Sequence, residues 1–479
     1  MVACLFQTDN RPQPDPMSLP FRDHPLRYAL TDELHARTFE PLHAPARVAH
    51  LAVLCGERGS GRNDQHLKRL LAHFGAPVPE TAGQYHYARL GHLHLRWERH
   101  TEFVTYSFAS EEDVSQPFAR SPLEDLPADW LREMPGEVIS SVLLVLEPRD
   151  APKRDAQALT ALFNGNPVIG SLVVGGAGLA YSDMRIHDDG HGHLLLRDIG
   201  LSEAQAGRLV KRVLEVNAYR TIALLGLPLA RRANALLSDA DQRLTQVAKA
   251  IARSSASGDA GASAGADRGR RPADLAAAKV SLERELLGEL TALATEIESV
   301  AAQTTYRFEA SSAYYRIVEQ RLRQLRQQRI EGLQTFNEFL EARLAPAVAT
   351  CVSTGERQQR LAERAGRLIG LLRARVEVSL QEQNRGLLDS MDRRAHLQLR
   401  LQETVEGLSV IAISYYGAGL VGYLLKGLEA SGYPINPTLG LAVAVPAIAG
   451  LTWLLLHRTK RHLRRETKPD ASAKPVRSG

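Results

Sequence analysis

Four residues close together in the chain, Asp183, His187, His191 and His193, carry the carboxylate and imidazole groups that bind divalent metals. A zinc site needs three or four such ligands converging on one point, oriented by a further layer of hydrogen bonds. The same stretch reads His187-Asp-Asp-Gly190-His-Gly, and Asp-Asp-Gly is also an ordinary way to turn a hairpin. The turn accounts for these residues without an ion. The sequence therefore assigns no metal and no cofactor, and these four stand as the weak candidates. Ten of the sixteen histidines fall between His24 and His100, and His92 and His94 share one face of a predicted strand.

Gly56-Glu-Arg-Gly-Ser-Gly61-Arg62-Asn63 follows a predicted strand and opens a predicted helix, the setting of a phosphate-binding loop. Arg62-Asn63 stands where Lys and Ser or Thr would contact phosphate and Mg²⁺, so a tight glycine turn is the better reading. Glu33, His35 and Arg37, and the run Arg96-Trp97-Glu98-Arg99-His100, suit an Arg–Glu network that ties the N-terminal segment to the sheet. No HExxH, GxSxG, CxxC or dinucleotide-binding GxGxxG is present, so no catalytic reading stands on a motif. A last set of polar and small residues, Ser414, Tyr415, Tyr416, Gly419 and Asn436, lies within or beside apolar runs, where such groups line a pore or a helix interface.

The elements that must position these residues change period along the chain. Val48–Leu54, Leu90–His100, Glu102–Phe108, Val138–Leu146, Gly170–Val174, Ser182–Ile186 and His193–Arg197 are expected as strands, and Asp64–Phe74 as an amphipathic helix. Ser202 caps a helix predicted to run to Leu225. From Asp274 to Glu406 helix breakers are few. Leu286, Leu290, Leu293, Ile297 and Val300 recur at the 4-3-4-3 spacing of a coiled-coil seam. A break is expected near Ala345–Thr354, at Pro346, and RLRQLRQQRIEG reads as a solvated helix face.

Leu408–Leu428 and Leu439–Leu456 are apolar runs carrying a single charge between them, Lys426. At 1.5 Å per residue they extend roughly 31 and 27 Å, enough for a hydrocarbon core of about 30 Å. Basic residues flank the pair on the outside, Arg393, Arg394 and Arg400 before it and the tail after it. That asymmetry predicts both termini in the cytoplasm. From His457 onward eight Lys or Arg face two acidic residues, so the net charge of +5 belongs to the tail and the body is close to neutral. Nucleic acid is not expected as a partner; the lipid bilayer is. The three cysteines lie far apart, which excludes a disulfide scaffold.

The resulting expectation is an α+β chain: a leader at 1–20, an α/β sheet domain at 21–235, and long coiled-coil helices at 236–407 with a flexible linker at 254–271. A two-helix transmembrane hairpin at 408–456 (spans 408–428 and 439–456) and a basic cytoplasmic tail at 457–479 complete it. Self-association through the Leu286–Val300 seam and the glycine-bearing first span is expected too.

The stretches ELHARTFEPLHAPARVAHL, LRWERHTEFVTYSF, SDMRIHDDGHGHLLLRDIGL, YRIVEQRLRQLRQQRIEGLQTFNEFLEARLAPAVATC and LQLRLQETVEGLSVIAISYYGAGLVGYLLKGL resemble the bacterial Domain of Unknown Function 3422 family. The resemblance extends from Pro25 to about Arg465. It implies a membrane-anchored bacterial protein; with both termini expected in the cytoplasm, the inner membrane is the expected location. The order of sheet domain, long helices and two C-terminal spans is also similar to the two-span magnesium channels. Those carry Gly-Met-Asn after the first span, where this chain reads Gly427-Leu-Glu-Ala-Ser-Gly-Tyr-Pro-Ile-Asn436. Two functions follow as expectations: a non-enzymatic, oligomeric membrane scaffold or regulator whose protein partner the sequence does not name, or a divalent-cation channel of that plan.

Overall fold

The structure is a computed structural model describing residues 24–28, 30–31, 39–56, 60–80, 83–260, 272–430 and 437–466. The leader at 1–20, Glu33, His35 and Arg37, linker residues 261–271, Asn436 and the tail beyond 466 lie outside the described residues. The chain divides into two compact units: Met1–Asp267 with Glu285–Leu371, and Arg268–Arg284 with Leu372–Gly479. As expected, the fold is mixed α+β with long helices.

A nine-stranded sheet organises the first unit: β1 (Ala46–Leu54), β2 (Tyr85–Leu90), β3 (Leu93–Arg99), β4 (Phe103–Ser110), β5 (Glu137–Glu147), β6 (Ile169–Val173), β7 (Gly178–Ile186), β8 (Gly192–Asp198) and β9 (Gln328–Arg329). Their order is β2-β3-β4-β1-β5-β8-β7-β6-β9. Every pair is antiparallel except β5 and β8, which run parallel with Val142 opposite Gly192. β1 and β5 are central, and helices cover both their faces. That is why VISSVLLVLE reads as a run and not as an alternation.

On one face, Val48, Ala52, Leu144, Leu146, Leu194 and Leu196 meet α4 (Glu203–Ala223), the end of α6 (Pro272–Gln324) and the start of α7 (Phe336–Ala430). On the other, Leu51, Val53, Leu95 and Trp97 pack on Leu67, Leu70 and Leu71 of α1 (Ser60–His73) and on Trp130 of α2 (Ala128–Arg132). A smaller cluster joins Val145 and Leu195 to Leu159 of α3 (Ala156–Leu162) and to Phe163. Ser202 starts α4 as predicted: its hydroxyl accepts from Gln205 N–H (3.3 Å), and the Gln205 side chain accepts from Ser202 N–H (2.9 Å).

Five expectations are corrected. The strand expected at Leu90–His100 is shorter: Leu90 ends β2, the chain turns at Gly91, whose φ of +63° favours glycine, and β3 takes Leu93–Arg99. The polar stretch after Leu322 is not one helix face: α6 stops at Gln324, Arg326 takes a positive φ, and β9 pairs with Ser171 and Leu172 of β6. No break falls at Ala345–Thr354. Pro346 removes one hydrogen bond and costs about 3 kcal/mol in a free helix. Leu344, Val348 and Cys351 are buried around it, and that packing carries α7 on across the proline. Helix α5 (Gly226–Ala260) continues into the expected linker as far as Ala260, the sequence holding no proline until Pro272. Finally, the Leu286–Val300 seam is filled from within as far as Ile297, with Val300 half-buried. Leu290, Leu293 and Ile297 are buried, and Arg243–Glu296, Asn234–Thr354 and Gln358–Thr304 hydrogen bonds tie α5, α6 and α7 together.

The segment before β1 crosses α4 at Gly207, where a Cβ would stand 1.9 Å from Glu40 O. Leu42 N–H donates to Glu203 O (3.2 Å), and the Arg208 guanidinium lies 4.5 Å above the Phe39 ring. Alanine is the better helix former by about 1 kcal/mol. Gly207→Ala should nevertheless destabilise the protein by about 1–3 kcal/mol through overpacking and speed proteolysis at 39–44. Urea unfolding with limited proteolysis checks this, and a more stable variant would remove the argument for the crossing.

In the second unit, α7 from Leu372 runs to its end, and α8 (Pro437–Glu466) packs antiparallel to that end. A Cβ on Gly417 would meet Ile448 at 3.0 Å, one on Gly422 would meet Leu441 at 3.5 Å, and one on Gly440 would meet Leu425 at 2.8 Å. Two helical stretches are long and apolar enough to cross a membrane by length and composition. In Glu203–Ser254 the apolar window is 56% buried, as for a core helix; in Phe336–Gly427 it is 0% buried. Thr438–Leu454 is a shorter apolar stretch.

Candidate functional site

The β7–β8 hairpin gathers the predicted residues into a stack, not a ligand sphere. The His187 and His193 rings lie face to face, 3.8 Å between centroids and 9° apart, and Phe118 covers His193 at 4.1 Å. His187 Nε2 is 3.0 Å from Asp183 Oδ2, and His193 Nε2 is 2.8 Å from Asp189 Oδ2. Asn166 donates to Asp183 Oδ2 (2.8 Å), and Asn164 Nδ2 lies 3.3 Å from His187 Nδ1. Parallel rings aim their ring nitrogens in parallel planes, so each histidine takes its own carboxylate. Among the described residues no three His, Cys, Asp or Glu side chains are grouped to hold a metal ion.

The electrostatics follow from burial. Burial pushes the His193 pKa below its ordinary value against the pull of Asp189, with His187 adding to the drop. Burial opposes the Asp189 charge, but hydrogen bonds from His193 and the His191 N–H hold its pKa below the usual carboxylate range. His191 stands apart from the stack. Its Nδ1 is 2.6 Å from Ser141 Oγ, and burial lowers its pKa despite Asp189 and Glu124, which keeps the imidazole neutral at pH 7. It borders a cleft of about 400 Å³ that Leu143, Arg120, Ser121 and Glu124 also line.

A second polar group lies on the α4 side of the sheet. Arg96 and Glu98 project from one face of β3 and pair with each other, while Lys211 Nζ sits 3.9 Å from both Glu98 and Glu215. Burial opposes the Glu98 charge, and Arg96 and Lys211 overcome it, so its pKa falls. Arg321 of α6 closes on Glu215. Glu40, in the field of His94 and Arg96, has its pKa raised by burial. Trp97 and Arg99 alternate to the opposite face, where Arg99 pairs with Asp64 and lies 5.2 Å above the Trp97 ring. His92 bonds to Asp125 at 3.2 Å, away from His94. In the glycine loop Gly56 takes a φ of +65°, Gly61 is inside α1, and 57–59 are outside the described residues.

Of the apolar-segment residues, Tyr415 and Tyr416 are each 75% exposed and meet edge to face at 5.7 Å. A Cβ on Gly419 would meet nothing within 4 Å, and the buried Ser414 Oγ has no partner among the described residues. Sequence reading missed Phe118, Ser141, Asn164, Asn166 and Lys211. They reach their partners over long loops or across the sheet, and no spacing signals such pairs; only Asp189, inside the turn motif, stood in view.

No curated protein matches the chain. The solved structure described as "structure of the full-length CmaX protein" is similar at 13% identity, covering 67% of this chain and 89% of that one. Its TM-score is 0.15, which carries no fold assignment. The family described as "Protein of unknown function (DUF3422)" matches residues 22–264 and 272–463, nearly the whole chain, and the chain belongs to that family.

Proposed function

We propose that the protein is a membrane-anchored, self-associating scaffold or regulator of the bacterial inner membrane. In this reading the pair of apolar segments at 408–428 and 439–456 spans the bilayer, with both termini in the cytoplasm. One observation carries it. No residue of the apolar window before Gly427 is classed as buried, and Leu408, Ile411, Leu420 and Tyr423 all stand exposed. A patch of that size in water marks an interaction or membrane surface, and two side-by-side apolar helices offer hydrocarbon the right length. The basic outer flanks support the orientation. The sheet unit, with its internally paired polar groups, is then the part that meets a partner.

Reporter fusions at Ser431 and Gly479 test the anchor: a periplasmic signal at the connector and a cytoplasmic one at the end are expected. A cytoplasmic signal at Ser431, or release of the chain by carbonate washing, would end this reading. The second reading, a divalent-cation channel, is favoured by the Ser414 hydroxyl, which has no partner among the described residues, since a pore needs polar groups inside its spans. Cation flux into proteoliposomes above that of empty vesicles would establish it in place of the scaffold.

A further inference from the structure

The Leu286–Ile297 seam is closed within one chain, so self-association needs another surface. α7 supplies one. From Leu380 to Gly407 every described residue except Gln383 is exposed, and Leu387 and Met391 stand 63% and 66% exposed. Leu380, Leu387, Leu401 and Leu408 fall at intervals of seven or fourteen, and Met391 and Val405 fall four after Leu387 and Leu401. These are the d and a positions of one heptad register, sustained over roughly 42 Å of helix.

The charges obey the same register. Glu382, Asp389 and His396 occupy f, Arg385 and Asp392 occupy b, and Arg393 and Arg400 occupy c. The e and g positions between Leu380 and Leu408 are Gln381, Leu388, Ala395 and Gln402, and Gln383, Ser390, Leu397 and Thr404, none of them charged. A helix that only faced water would not sort its charges this way.

We infer that this face of α7 is the surface on which copies of this chain join, as a parallel, in-register helical bundle. The inference rests on the anchored, self-associating reading above. Two features select a second copy as the occupant. α7 runs unbroken from the stripe into the apolar segment, so copies inserted in one orientation present their stripes in parallel at equal height. Asn384 and Gln398 interrupt the a positions, and in a parallel register each meets its own kind, amide to amide. Uncharged e and g positions widen the face beyond a two-stranded seam, which fits three or more copies. Arg394 is the one charge on the seam, and its stem fills a d layer while its guanidinium reaches the rim.

Single cysteines at the seam (Leu387→Cys, Leu401→Cys) and at f (Asp389→Cys, His396→Cys) test this in native membranes, against the unaltered chain. A disulfide needs Cα atoms within about 7 Å, so oxidation should yield cross-linked dimers at the seam about tenfold more than at f. Equal or absent cross-linking in a chain that resists carbonate washing would overturn the bundle and leave the anchor standing. A chain that washes off would overturn both. Leu387→Glu with Met391→Glu should reduce the mass of the detergent-solubilised chain to the monomer with its helical circular dichroism intact. Unchanged mass there would overturn this interface alone, and Arg394→Leu should tighten the assembly.

Discussion

Glu102→Gln should destabilise the sheet unit by about 2–3 kcal/mol, because it leaves a partly buried guanidinium without its counter-charge. Glu102 is almost fully buried beside the β3–β4 turn, and Arg307 of α6 grips both its oxygens, Nη1 to Oε1 at 3.0 Å and Nη2 to Oε2. Burial works against the Arg307 charge, yet the Glu102 bonds and charge hold its pKa above the ordinary value. Tyr314 is driven the same way: burial, then the Glu102 charge, raise its pKa. The Glu102 carbonyl accepts from Cys55 N–H and Gly56 N–H, so this residue also fixes the end of β1. The double variant Glu102→Gln, Arg307→Met should regain part of the loss, since it removes the unpaired cation but leaves the buried amide without its partner. Urea unfolding of the four members of that cycle gives the coupling, and a single-variant loss under 1 kcal/mol would mean the pair is effectively solvated.

The second large effect is acid sensitivity from His50. Its side chain is on the central strand, 5% exposed, with Nδ1 2.8 Å from Ser107 Oγ and Nε2 without a partner among the described residues. Burial lowers its pKa to about 4, Glu98 resisting and Arg96 and His100 assisting. An unfolded histidine titrates near 6.5, so between about pH 6.5 and 4 the unfolded chain binds the proton that the folded chain refuses. Stability from this residue is complete above pH 6.5 and falls as the pH drops, by about 3 kcal/mol when pH 4 is reached. His66, His191 and His193 are shifted in the same direction and steepen the curve. Unfolding free energies of wild type and His50→Gln from pH 7.5 to 4.5 isolate the share of His50. Parallel curves would show that His50 accepts its proton as readily folded as unfolded.

The amino-acid sequence revealed the elements whose physics is local. Val138–Leu146 reads as a buried strand because β-branched and leucine side chains fill both faces, and Ser202 announces α4 through its own hydroxyl. β2 escaped because YHYARL lies at the sheet edge with half-polar faces, so no alternation marks it. β9 escaped because two residues gain their strand character only from β6, more than 150 positions away. Pro346 misled for a related reason: local propensity says break, and the apolar neighbours that outvote it come from other helices. The Leu286–Val300 spacing was legible as a seam, but periodicity states that a partner exists without stating which chain provides it. The histidine hairpin was visible as a set of groups. Its ring stack was not, since Phe118 arrives from a loop nearly seventy residues earlier.

The single parallel pairing in the sheet bears on how the chain is built during synthesis. β1 to β5 find all their mutual partners within Ala46–Glu147, and the apolar cluster under α1 and α2 is complete once Met134 has emerged. That half can assemble on the ribosome while the rest is still being translated. β8 must then dock alongside β5 across an intervening stretch that first folds back on itself as β6 and β7, a slow, non-local step. Until α4 follows, Val48, Val142 and Leu144 offer a greasy ledge with a free strand edge beside it. Nascent chains halted between Glu147 and Glu203 are therefore the species most in need of a chaperone.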